Sequence, residues 1–497
     1  MSLSAGVQKA AQPVLTKSNQ EGAIEKKHRG AASGPFVFQV PGILIIASGG
    51  IGVAAGFLIR AQYSDVSQRT IMYLELPGCL FQRILLLLVP LVTAMSVMVS
   101  TGQLGGRLLG WTVAYGCLYT LLTCCLSQTM AVGLVTLLRP GDHLQTLIAT
   151  EALISVNASN RANLPDVFVA FARACFPTSI VTAFVFPWET TKQAESVSTE
   201  TLQMPAPQTM TEMTSSELNL GFNSFGLVSF SIFLGLVLAD REPDDALLLD
   251  TLEGATDLFL GCVHVITWFS PICVGFLAVS WVLKLPDWEF LIDHAGMYSV
   301  ALCLGCTLHI ILVLPLTYII IVGDRRMPFL RRMLQPIAIG AGTASSTIAM
   351  PPLMESLEGE GTLDPRLVRI LLPLLTLIRK DMVILYNSIF ALSMAQASGV
   401  RLGIDDWLYF CVVSMATNVM ALATPSESLD TIEALLVNSL KLPYVQPVRP
   451  ILQVLDPAMT VIHVLGHSIG VSIVQSLLSR EIQKASDVST DTPSTQP

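Results

Sequence analysis

Apolar runs long enough to cross a lipid bilayer recur from residue 36 to about residue 480. A helix needs ~20 consecutive apolar residues to span the hydrocarbon core. A chain that repeats such runs over most of its length has lipid, not water, as its solvent. Charge content agrees: 13% of residues are charged, against about a quarter in a soluble domain. Apolar residues make up 52% and the mean hydropathy is +0.62. The expected fold class is an all-α polytopic membrane protein, one integral unit with short tails. The net charge of −9 comes partly from acidic loops and the C-terminal tail. It offers no basic patch suited to nucleic acid, and the expected surroundings are a lipid bilayer. Ten cysteines are scattered, mostly in apolar runs. Cys303 and Cys306 form a CxxC inside such a run, where small packing residues are a simpler reading than a redox or metal pair.

The first 34 residues are polar and carry Lys9, Lys17, Lys26, Lys27 and Arg29 without an apolar core. The first run, 36–60, is therefore expected to be an uncleaved anchor, with the N-terminus inside. Residues 77–101 span back to a short loop, Gly102–Arg107, and residues 108–138 span outward to Arg139-Pro140-Gly141. The more polar stretch 142–165 holds a glycosylation sequon, Asn157-Ala158-Ser159, on the outer side by this count. Residues 166–187 are apolar, 188–220 read as a disordered external loop, and 221–239 re-enter. An acidic cytoplasmic loop, Asp240–Asp257, precedes an outward and inward pair, 258–284 and 297–322. Arg325, Arg326, Arg331 and Arg332 then form a basic cytoplasmic loop that supports the count.

The C-terminal third differs. Segment 335–354 is interrupted by Gly340-Ala341-Gly342-Thr343-Ala344-Ser345-Ser346-Thr347 and by Pro351-Pro352. Segment 404–442 is interrupted at Ala423-Thr424-Pro425-Ser426. Broken backbone at membrane depth is tolerated only where it is buried in protein or lines a polar cavity. Two such segments in corresponding places point to a transporter binding site. They read as two re-entrant helical hairpins, each followed by a full helix, 364–397 and 446–480. Arg379, Lys380 and Asp381 sit in the middle of the first of these helices. A central charge costs about 2.5–3.5 kcal/mol on insertion scales. Asp456, Thr460, His463 and His467 recur at i, i+4, i+7 and i+11 in the second helix, so they share one face and one polar stripe.

Several of these segments resemble the glutamate/neutral amino acid transporter family, the dicarboxylate/amino acid:cation symporters. Pro77-Gly78-Cys79-Leu80-Phe81-Gln82-Arg83 is similar to the opening of the family's second helix, and Tyr119-x-x-x-Thr123 to a motif in its third. Ser345-Ser346-Thr347 with Pro351 resembles the serine-rich tip of its first hairpin, and Asp364-Pro365-Arg366 the start of its seventh helix. Val464-Leu465-Gly466-x-Ser468-Ile469-Gly470 resembles its eighth-helix VLGDSIG. The resemblance implies eight transmembrane helices plus two re-entrant hairpins, a homotrimer, and an elevator motion of a transport domain against a scaffold. It divides the chain into a cytoplasmic tail, 1–34, helices one to six, 35–322, a transport core, 323–482, and a second cytoplasmic tail, 483–497. A plasma-membrane location is the corresponding expectation.

Departures from the family pattern are concentrated at the site. Its seventh-helix NMDGT aligns with Arg379-Lys380-Asp381-Met382-Val383, which keeps only the aspartate. Asp456 matches the aspartate that takes a substrate amine, and Thr460 is kept, but Met459 stands where acidic-substrate members carry an arginine. His463 and His467 replace an asparagine and an aspartate that help bind sodium. Asp381 and Thr123 remain from the ion sites, with Tyr119 also an ion-site position, while Thr120 and Cys124 stand in place of a usual tyrosine and hydroxyl residue, so the third-helix site loses oxygen. The second hairpin tip around Pro425 loses its glycines to Leu422, Ala423, Ser426 and Ser428.

The expected function is secondary transport of amino acids, neutral rather than acidic, with degenerate sodium sites. Asp456, Thr460, Ser345, Ser346, Met459, Pro425 and Lys380 are the candidate substrate contacts. Sodium or a proton is the candidate coupling ion; no cofactor is expected, and no enzyme activity. The alternative is a non-transporting member acting as an anion channel, sensor or regulatory subunit. HxxxH at His463 and His467 also matches a metal pair, though no third ligand is evident in the sequence.

Overall fold

The computed structural model describes residues 42–63, 66–143, 224–239, 246–285, 288–323, 328–359, 363–400, 403–421, 436 and 449–490. The sequon at Asn157, the loop 188–220 and the second hairpin tip with Pro425 lie outside these residues. The described chain is helical throughout. Its N-terminal part comprises α1 (Gly42–Gln62), α2 (Gln68–Leu138), α3 (Ser224–Ala239), α4 (Ala246–Thr267) and α5 (Ser270–Lys284). There follow α6 (Trp288–Leu308), α7 (Leu314–Val322), α8 (Leu334–Thr343) and α9 (Ser346–Glu358). The last four are α10 (Pro365–Ile378), α11 (Asp381–Ala397), α12 (Ile404–Ala421) and α13 (Arg449–Thr490).

Four described helical stretches are long and apolar enough to cross a membrane: Gly42–Gln62, Gln68–Leu138, Gly296–Val322 and Val454–Ser479. The pair α4–α5, bent by 60°, makes a fifth if it is one span. Large apolar side chains such as Leu58, Leu87, Leu137 and Ile320 are largely exposed on these helices. Exposure of that kind suits hydrocarbon and not water. The chain is an integral membrane protein.

Three expectations change in detail. The loop expected at Gly102–Arg107 is compressed to one non-helical residue, Gly105 (φ 72°, ψ 161°), which divides α2 into two arms. Positive φ at no steric cost is what glycine supplies there. The acidic loop expected at Asp240–Asp257 is partly helical, because α4 begins at Ala246. The full helix expected over 364–397 is broken in the middle. Arg379 (φ −92°, ψ 94°) and Lys380 (φ −120°, ψ 39°) leave helical geometry between α10 and α11.

The segment 335–354 does fold as a hairpin. Ala344 takes a left-handed turn (φ 50°) after α8, and Ser345 is extended. The Ser345 hydroxyl accepts from the Ile348 amide at 3.3 Å, capping α9. Gln82, within the segment that carries the second-helix resemblance, donates its side-chain amide to the Thr343 carbonyl at 3.1 Å. An otherwise orphaned helix-end acceptor is thereby satisfied.

The core sits in the C-terminal third. Nearly every residue of α11 from Asp381 to Ala395 is buried, on all sides of the helix. A helix apolar all round must be wrapped by others, and α2, α6, α12 and α13 surround it. At the end of this core, Arg369 on α10 ties three elements together. It donates to both Glu358 carboxylate oxygens at 2.8 and 3.0 Å and to Asp257 on α4 at 3.0 Å. Glu253 lies 3.9 Å away and takes the Gln103 amide at 3.1 Å. Two helical turns further along α4, His264 meets Glu355 of α9 at 2.9 Å. The acidic residues of α4 are thus partners for a basic residue of the core.

Glu358 and Arg369 are 12% and 10% exposed, whereas Asp257 is 62% exposed. Glu358→Gln should therefore destabilise by about 1–3 kcal/mol, since it leaves a mostly buried guanidinium short of an acceptor. Asp257→Asn should cost less than about 1 kcal/mol, as an exposed pair does. Unfolding of the purified protein in detergent measures both, and the ranking is the test.

Candidate functional site

A cavity of ≈ 200 Å³ opens at the hairpin turn. One wall is the turn itself: Ala344, Ser345, Ser346 and Thr347. A second is α13, with Asp456, Met459, Thr460 and His463. The third is the first turn and a half of α11: Met382, Val383 and Tyr386. The hairpin places the amino end of α9 at the cavity, where unpaired amides and the helix dipole favour an anionic group. Asp456 is exposed to the cavity, so one carboxylate faces one amide-rich helix end. That arrangement complements a zwitterion.

Directly behind the helix break lies a second polar centre, closed off from solvent. Arg379 and Asp381 are both fully buried and joined in a close ion pair. Arg379 also donates to the main-chain carbonyls of Ile462 and His463 at 3.5 and 3.3 Å. Its guanidinium carbon lies 5.9 Å from the centre of the Tyr119 ring. Tyr119 in turn donates its hydroxyl to the Gly466 carbonyl at 2.9 Å. A buried guanidinium is stable only when anions and acceptors surround it, and here they come from α11, α13 and α2. Gly466 makes the space: a Cβ there would overlap the Arg379 guanidinium carbon and its terminal nitrogens.

Sequence reasoning missed His309. It opens a π-helical turn, His309–Val313, between α6 and α7. Such turns are rare and gather at functional sites. Its Nε2 is 2.8 Å from the Asp381 carboxylate, and its Nδ1 pairs with the Ser127 hydroxyl at 3.3 Å. A lone histidine inside an apolar run was the available signal.

The expected site residues thus divide between two chambers. Ser345, Ser346, Asp456, Met459, Thr460 and His463 come together around the cavity. Arg379, Asp381 and Tyr119 form the closed centre. Thr123 is buried, its hydroxyl donating to the Thr120 carbonyl at 3.1 Å. Lys380 is half-buried at the break and is not part of the described cavity wall. The polar stripe expected to face a single cavity runs inward instead. His467 lies 1% exposed behind His463, the two rings stacked at 6.2 Å.

The motif for the sodium:dicarboxylate symporter family matches residues 42–477. The chain belongs to that family. It is a membrane transporter and not an enzyme. Excitatory amino acid transporter 4 of Mus musculus is 26% identical, the match covering 89% of this chain and 84% of that protein. Neutral amino acid transporter B(0) of Mus musculus is 27% identical, over 88% of this chain and 80% of that protein. Excitatory amino acid transporter 1 of Ambystoma tigrinum is 26% identical, over 94% of this chain and 86% of that protein. Excitatory and neutral amino acid transporters are therefore similarly distant from this chain, and selectivity has to be argued from the site.

The seat of Arg379 in this transporter gives a direct test. Gly466→Ala should lower thermal stability by driving the guanidinium off its acceptors. In an Arg379→Ala background the same change should cost less, with a coupling of roughly 0.5–3 kcal/mol. Equal cost in both backgrounds would mean that the glycine serves the backbone and not the arginine.

Proposed function

We propose that this family member is a secondary transporter of neutral amino acids, and that Arg379 stands permanently where relatives hold a coupling cation. The supporting observation is the closed centre behind the helix break. The guanidinium is buried with no solvent exposure, paired to Asp381 and donating to two α13 carbonyls. Carboxylate and carbonyl oxygens are the ligands a hard cation takes, and here a side chain already occupies them. A sodium ion at about 4 Å from that charge would be disfavoured by ~4 kcal/mol at an effective dielectric of 20. The elevator motion, the homotrimer, the re-entrant placement of the hairpin and the plasma-membrane location remain part of this reading through the family resemblance.

Substrate charge follows from the cavity. Asp456 takes the amine, and the hairpin turn at Ser345 and Ser346 takes the α-carboxylate. Met459 leaves a side-chain carboxylate without a cation, and a buried unpaired carboxylate costs several kcal/mol. Arg379 cannot serve, being held by Asp381 and α13. In uptake assays glutamate should therefore lose to alanine, serine and glutamine; glutamate ahead of all three would refute neutral selectivity.

Ion dependence tests the other half. Substrate uptake, or substrate-induced thermal stabilisation, should be the same in sodium, potassium and choline. In Arg379→Asn, binding in choline should disappear and return when sodium is added. A strict sodium requirement in the unmutated protein would sink the fixed-cation reading.

A further inference from the structure

The cavity's third wall carries a more specific message. Its side chains, Met382, Val383 and Tyr386 of α11, are joined by Met459 from the adjoining α13 wall, so two thioethers, a branched hydrocarbon and an aromatic ring line this side of the cavity. Met382 is fully buried, Tyr386 is 2% exposed and Met459 is 8% exposed. The Tyr386 ring is fixed edge-on against Tyr298, with centroids 6.4 Å apart and planes at 79°. Apart from the Tyr386 phenol, the polar side chains of the lining are on the other two walls: hydroxyls at the hairpin turn, and Asp456, Thr460 and His463 on α13. The Thr460 hydroxyl donates to the Asp456 main-chain carbonyl at 2.9 Å, whereas the Ser345 oxygen accepts from the Ile348 amide and keeps its O–H for a carboxylate.

An amino acid held at its amine by Asp456 and at its carboxylate by the hairpin turn has its side chain left for the remaining wall. We propose that this wall selects substrates with a hydrocarbon or thioether side chain, of the size of valine, leucine or methionine, and that Val383 and Met382 set the preference. The proposal rests on the transporter reading above and narrows it. Hydroxyl and amide side chains would be stripped of water against Met382, Val383 and Met459, which return no strong hydrogen bond, and this opposes binding. Each methylene buried there improves affinity by about fourfold. Two methionines on the wall adapt to branched and unbranched shapes, because the thioether chain is flexible and polarisable. The small cavity volume sets the upper limit, well below the several hundred Å³ typical of sites for larger ligands.

The test uses the full chain in lipid nanodiscs at pH 7.5, with thermal stabilisation and uptake after reconstitution as readouts. Leucine, methionine and valine are titrated beside serine, threonine and glutamine. The expected result is half-saturation at least about tenfold lower for leucine and methionine than for serine and glutamine. Val383→Thr, nearly isosteric, should narrow that gap from both sides, weakening leucine and strengthening threonine. Serine or glutamine binding as tightly as leucine in the unmutated protein would overturn this inference and leave neutral transport standing. No response to any amino acid, in either readout, would take both down. The native panel decides the matter even if Val383→Thr fails to fold.

Discussion

The ion pair between Arg379 and Asp381 is the constraint around which the C-terminal third is arranged. Neither charge is stable alone at that depth, because desolvation of an isolated ion costs several kcal/mol even after relaxation. The pair forms between residues two apart, a spacing that an intact helix would turn to different faces. Breaking the helix at Arg379 and Lys380 lets the guanidinium fold back over Asp381. Its remaining donors then need acceptors, and α13 supplies main-chain carbonyls next to Gly466, the one residue without a side chain to obstruct it. The position of α13 against the α10–α11 break is tied to this contact.

The same break separates two chambers with different chemistry. On one side is a small cavity with a carboxylate, an amide-rich helix end and an apolar wall. On the other is a closed centre whose anions and cations are matched inside the protein. His309 and Tyr119 complete that centre from α6–α7 and α2, so it is built from elements distant in the chain. A relative with an oxygen ligand in place of Arg379 would have the same frame and an empty cation seat.

Away from the site, charge is handled by the same rule. Asp257 and Glu253 of α4 are counter-ions for Arg369 on α10, and His264 of α4 meets Glu355 on α9. Together these pairs connect α4 to α9 and α10. Partly exposed pairs of this kind are weak individually.

Run length and charge scarcity in the sequence alone determined the membrane solvent and the helical class, since both are summed properties that do not depend on packing. Gly, Ser and Pro interruptions likewise marked the hairpin at 335–354, because backbone breaks have local causes. The family was legible in short motifs, whose residues act through backbone contacts such as Gln82 at the hairpin and Gly466 under the arginine. What only the tertiary structure decided was partnership. Arg379, Lys380 and Asp381 are adjacent in the chain and look alike as buried charges, yet two are locked in a closed centre and the third stays half-buried at the break. His309 reached that centre from a separate apolar run through a π-helical turn, a feature with no local signature in the sequence. Asp456, His463 and His467 share a helix face, but the depth of each depends on what α10 and α11 place against it. Burial and pairing are properties of the assembled helices, and a period along one helix does not contain them.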